Sequence, residues 1–159
     1  MKGLIIEKLK TNYFTNLKEV MSVLGEDIKK YNWLLTEYFF TCEYLPKIPI
    51  GADYAWVTGE ELMEILKKYD PIFVWCVASV FDKSVKLEDA LIHPLPFADG
   101  YTGFWKLPVS IQNPLAEIEI VPWDSSLLLV ISRSNEVVQK YADEYPDATD
   151  LEKYCREFM

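Results

Sequence analysis

The stretch Ala116-Glu117-Ile118-Glu119-Ile120-Val121 sets two carboxylates two residues apart. On a strand both would point the same way, about 7 Å apart, a spacing open to acid–base work. A strand with one solvated face gives the same pattern without chemistry, and that is the reading adopted. Histidine is the side chain best suited to base catalysis near neutral pH, and the chain holds one, His93, followed by Pro94. A serine triad would have to use it, yet no GxSxG elbow presents a serine. A cysteine–histidine pair would need Cys42 or Cys155 brought to it through the fold. The three cysteines, Cys42, Cys76 and Cys155, are far apart and form no CxxC, which argues against a disulfide framework and a zinc site. Cys76 lies in an apolar run and reads as a small core residue. Phosphate-cradling GxGxxG and GxxxxGK[ST] loops are absent. The expectation is no catalytic residue, no metal ligand and no cofactor.

A second candidate feature is Pro122-Trp123-Asp124-Ser125-Ser126, between AEIEIV and LLLVIS. Turn chemistry accounts for the proline, whose φ is already fixed, and for an aspartate or serine bonding back to the backbone. It does not account for Trp123, which is expected to pack on its own sheet. With Tyr101, Phe104 and Trp105, a displayed Trp123 would form an aromatic patch of the kind found at protein interfaces. Trp33, Trp56 and Trp75 fall in strand-like segments and are expected in the core.

Charge narrows the partners. The 159 residues carry a net charge of -9, and the 16 Lys and Arg residues are not clustered. Nucleic acids and anionic membranes need concentrated positive charge, so neither is expected. The same field attracts a basic protein. The N-terminal MKGLIIEKLK is too short in apolar residues for a signal peptide, and no run approaches the ~20 apolar residues of a membrane span. A cytoplasmic location is expected, with a core rich in aromatics, which are 14% of the chain.

The elements that would position these residues follow from periodicity. Residues 2–9 read as a strand. Phe14, Leu17, Val20, Met21 and Leu24 recur at helical spacing, with Asn12 to cap the start and Gly25 the end. YNWLLTEYFFTC and DYAWV read as strands. Thr58 with Glu61 forms a capping box, Val57 and Leu62 a hydrophobic staple, and Leu62, Ile65, Leu66 and Tyr69 the buried stripe of a helix that Pro71 stops. IFVWCVASVF, 72–81, does not alternate and is expected to be an interior strand covered on both faces. From Asp82 to Pro114 periodicity fades, and Asp99-Gly100 signals a hairpin between Leu95–Phe97 and Tyr101–Trp105. A helix follows Ser134, and Thr149 with Glu152 makes a second capping box before a terminal helix. No repeat, low-complexity tract or linker divides the chain, so residues 1–159 are expected to form one α+β domain with a mainly antiparallel sheet and helices mostly on one face.

W-K-L-P, I-Q-N-P-L-A-E-I-E-I, P-W-D-S-S-L-L-L-V-I-S and Y-P-D-A-T-D-L-E-K-Y, with Y-N-W-L-L-T and W-V-T-G-E-E-L nearer the start, resemble a small family of Firmicute proteins built on a domain of unknown function. The resemblance implies a bacterial cytosolic protein and transfers no catalytic residue. The function expected from the residues is that of a non-enzymatic acidic interaction module, of inhibitor or immunity type, with a basic partner. The alternative is a small enzyme or ligand-binding protein with a pocket near residues 93–105 and Glu117, Glu119 and Asp124.

Overall fold

The computed structural model describes residues 1–11 and 15–159. Seven strands form one sheet in the order β3-β2-β4-β5-β6-β1-β7, where β1 is Lys2–Ile6, β2 Tyr31–Phe40, β3 Tyr54–Thr58, β4 Phe73–Asp82, β5 Ile118–Trp123, β6 Leu127–Ser132 and β7 Thr149–Asp150. Each pairing among the described residues is antiparallel. The helices are α1 Leu17–Ser22, α2 Gly59–Tyr69, α3 Leu87–Ala90, α4 Asn135–Glu144 and α5 Leu151–Phe158. The α+β class and the antiparallel sheet expected from the sequence are therefore present. β4 is an interior strand, flanked by β2 and β5, as its unbroken apolar run required.

The first face of the sheet is closed by amphipathic helices. Leu17, Val20 and Met21 of α1, Leu62, Ile65 and Leu66 of α2, and Val138 and Tyr141 of α4 share one core with Trp33, Leu35, Ala78, Val80, Ile118 and Ile120. The Thr58 hydroxyl accepts the Glu61 amide, and the Glu61 carboxylate accepts the Thr58 amide, each at 3.0 Å. The capping box of α2 is complete, and the staple residues Val57 and Leu62 are both buried in that core. Gly59 opens the helix because nothing larger fits. A Cβ there would lie 2.2 Å from the Ile28 carbonyl oxygen.

The second face is closed by other means. Residues 83–117 fold back across it, joined by Leu151 and Cys155 of α5. Helices α1, α2 and α4 lie on the first face and the short α3 and α5 on the second, so the helices are mostly, not wholly, on one side.

Several local expectations are corrected. β1 ends at Ile6 rather than residue 9. The α1 N-cap is Asn16, whose side chain accepts the Glu19 amide; Asn12 and Phe14 lie outside the described residues. The same helix stops at Ser22, and Gly25, with φ of +57°, begins a 3-10 turn through Lys30. Asp99-Gly100 does turn the chain, the Tyr101 amide donating to the Ala98 carbonyl, but no strands flank it and Thr102–Trp105 is a 3-10 turn. The second capping box does not form. Thr149 and Asp150 pair with β1, and Asp150 takes the Lys153 amide at the start of α5.

Candidate functional site

Alternation along β5 divides its side chains between the faces. Ile118 and Ile120 enter the helical core, while Glu119, Val121 and Trp123 face the 83–117 segment. The expected wet face is therefore covered. Glu117 precedes the strand and is exposed, but Glu119 is wholly buried. Its burial comes from the preceding segment, residues 83–117, which lacks periodicity, so no alternation or helical spacing marked how it folds back.

Glu119 sits opposite Ser79 of β4 and Ile131 of β6. One carboxylate oxygen accepts the Gln112 amide at 3.0 Å. Oε1 of Glu119 and the Ser79 hydroxyl have no hydrogen-bond partner among the described residues. A charge stripped of water with so little compensation is costly. Burial accordingly raises the Glu119 carboxyl to about 7, against the smaller opposing pull of the Gln112 amide. The Tyr101 phenol is raised by its own burial and further by the nearby Glu119 charge.

Around Glu119 a set of polar contacts fastens the covering segment. The Gln112 side chain accepts the Phe97 amide at 3.1 Å and donates to the Phe97 carbonyl at 2.8 Å. Glu37 accepts the amides of Ala98 and Asp99 at 3.2 and 2.7 Å. Glu37 can reach them because it occupies an irregularity in β2, where the pairing with β4 shifts and its φ is +46°. Such bulges re-aim a side chain.

Beyond Glu119 the second face becomes aromatic. Trp75 and Trp123 meet edge to face at 5.3 Å, Trp123 and Trp105 at 5.8 Å. Tyr154 continues the row at 5.8 Å from Trp105, and Phe158 at 5.0 Å from Tyr154. From the other side, Phe97 touches Tyr101 and Tyr101 touches Phe104, which meets Trp105. Phe104 is buried, while Tyr101, Trp105 and Trp123 are half-buried. Three rings at the margins are open: Phe97 is 43% exposed, Phe39, paired with Trp75 across the ladder, is 64% exposed, and Phe158 is 67% exposed. Of the tryptophans expected in the core, Trp33 is fully buried, but Trp56 and Trp75 are only half-buried.

The Trp123–Ser126 segment is a turn. The Ser126 amide and hydroxyl both donate to the Trp123 carbonyl, at 3.0 and 3.1 Å. Asp124 and Ser125 have φ of +49° and +55°, the paired left-handed conformation that suits the twist of a tight hairpin. The Ser125 amide also donates to the Val74 carbonyl at 3.0 Å, tying the turn to β4. Trp123 thus lies within the aromatic row, as its expected packing on the sheet required.

The acidic candidates are dispersed. Glu117 and Asp124 flank opposite ends of β5, about 20 Å apart by strand rise, with Glu119 covered between them. No group of three His, Cys, Asp or Glu residues among the described residues could hold a metal ion. His93 lies after α3, and no hydrogen bond joins its imidazole to a serine or cysteine among the described residues. Burial raises the thiols of Cys76 and Cys155, away from thiolate reactivity. No helix among the described residues is long and apolar enough to cross a membrane. Comparison with protein families, curated proteins and solved structures finds no match to this chain.

Proposed function

We propose that the chain is a non-enzymatic interaction module, of inhibitor or immunity type, that masks a basic protein partner. The aromatic row carries this reading. Its ring contacts run from Trp75 through Trp123, Trp105 and Tyr154 to Phe158, with exposed Phe39 the ladder partner of Trp75 at one end and Phe158 exposed at the other. Arginine is the cation that best fits such a surface. Its planar guanidinium stacks on aromatic faces and also pairs with carboxylates. Exposed Asp124 beside Trp123 offers one such carboxylate, and the net charge of -9 steers a cationic partner toward the molecule. The same charge disfavours nucleic acid, and the resemblance to a cytosolic bacterial family fits a cytoplasmic role.

The alternative of a small enzyme draws on Glu119, whose carboxyl sits near the pH at which general acid–base groups work best. It is the weaker reading because Glu117 and Asp124 do not join Glu119.

Calorimetric titration with an arginine-rich peptide and a lysine-rich peptide of equal charge tests the proposal. Wild type is expected to bind the arginine peptide more tightly. Phe39→Ser with Phe158→Ser, which alters the exposed rings at the two ends of that row, is expected to weaken binding about tenfold, the scale of one interface anchor. Equal, salt-sensitive binding of both peptides that the double variant leaves unchanged would overturn it.

A further inference from the structure

We propose that Glu119 is a proton-operated latch on the 83–117 segment: the neutral carboxyl holds the segment against the sheet, and ionisation loosens it. The geometry carries this. Glu119 is fully buried, yet accepts one hydrogen bond, from the backbone amide of Gln112. A buried carboxylate needs two or three such donors to be stable as an anion. Its second oxygen has none among the described residues, and neither has the Ser79 hydroxyl directly across the ladder. Opposed side chains on one face stand with Cβ atoms about 5 Å apart. Across that distance the Ser79 hydroxyl makes no hydrogen bond to the carboxyl, so it does not offset the burial. With the Gln112 amide as its one donor among the described residues, the anion is poorly held while the segment stays closed, and gains water when it opens.

The latch reaches the rest of the segment through the same residue. Gln112, held by Glu119 at its backbone, clasps both polar groups of the Phe97 backbone with its side chain. Phe97 begins the ring contacts that lead through Tyr101 and Phe104 to Trp105. Tyr101 is the titratable side chain that the segment brings near Glu119. Ser79 of β4 and Ile131 of β6 are uncharged, and Cys155 of α5 closes the same core with its thiol donating to the Phe104 carbonyl. The Glu37 carboxylate on β2 is engaged with the Ala98 and Asp99 amides and gives the segment a second attachment independent of the proton. Acidification therefore tightens the aromatic face and neutrality loosens it; that consequence for binding rests on the function proposed above.

Two measurements on the isolated chain test the latch. The Glu119 side-chain carbon is followed by NMR against pH, and amide exchange of Phe97, Ala98 and Gln112 is measured and corrected for intrinsic rates. The carboxyl is expected to titrate near neutrality. Opening at these amides is expected to rise roughly tenfold per pH unit between about pH 5 and pH 7, then level off. Glu119→Gln, which keeps an acceptor for Gln112 but cannot ionise, is expected to abolish the rise. Titration in the ordinary carboxylate range, or the same rise in Glu119→Gln, would overturn the proposal. The wild-type titration decides the matter alone if that variant does not fold. The arginine-rich peptide, added at about pH 5.5 where the latch is closed, tests the binding reading separately, and its failure to bind leaves the exchange result standing.

Discussion

Beneath α1, α2 and α4 the sheet meets Leu17, Val20, Leu62, Leu66 and Val138, whereas beneath residues 83–117 and α5 it meets Ala98, Phe104, Val109, Ile111 and Leu151 and carries buried Glu119 and Ser79 among its own side chains. The difference follows from what covers each face. A helix satisfies its own backbone, so it presents an apolar stripe and asks nothing polar of the sheet. Irregular chain laid over a sheet brings unpaired amides with it, and buried amides need acceptors. Glu37 takes those of Ala98 and Asp99, Glu119 takes that of Gln112, and the Asn113 side chain takes that of Leu115 while donating to the Ala90 carbonyl. The second face thus adds polar contacts to its own apolar core, and one of them, at Glu119, depends on protonation, while the first face is held by packing that does not.

The largest effect expected of this contrast is on the first face. Trp33→Ala should cost about 4 kcal/mol, since it empties a fully buried indole site in a close-packed core. Urea unfolding measures the loss, and the increment should be the same at pH 5 and pH 7. An increment that varied with pH would mean the two faces are not independent.

Next comes the pH dependence of the second face. The Glu119 carboxyl is raised from 4.5 to about 7 by burial. The folded chain therefore keeps a proton that the unfolded chain has released. That contribution is fully present below the unfolded value and is lost as pH rises toward and through the folded one. A shift of this size amounts to about 3 kcal/mol. The difference in unfolding free energy between wild type and Glu119→Gln, followed from acid to neutral pH, isolates it from other carboxylates. A constant difference would remove Glu119 as the source.

Trp123→Ala should cost about 2 kcal/mol, less than Trp33→Ala, because the ring is half-buried and held by edge-to-face contacts with Trp75 and Trp105. Thermal unfolding beside wild type reads it, and an unmoved melting temperature would show that the aromatic row is assembled for a partner alone. Smallest is Thr58→Ala, expected to cost about 1 kcal/mol through the lost cap of α2. An unchanged urea midpoint would show the capping box to be incidental to the first face.

The elements of the first face were legible because their signals are local. Thr58 and Glu61 stand three residues apart, Leu62, Ile65 and Leu66 recur on one helical face, and the apolar run of β4 announces a strand covered on both sides. Alternation also put Glu117 and Glu119 on one side and Ile118 and Ile120 on the other; that the strand continues through Trp123 on the Glu119 side came only with the structure. It could not say that the polar side is dry. Nor did any spacing announce that Glu37 would reach the Ala98 amide across 61 residues, or that Trp105 would meet both Trp123 and Tyr154. Period and capping are properties of neighbours in the chain, so the sequence determined the strands, the helices and which side chains share a face. Whether a face is wet depends on which segment lies over it, and an aperiodic segment carries no local sign of where it will lie; that is decided only when residues 83–117 close over Glu119 and remove its water.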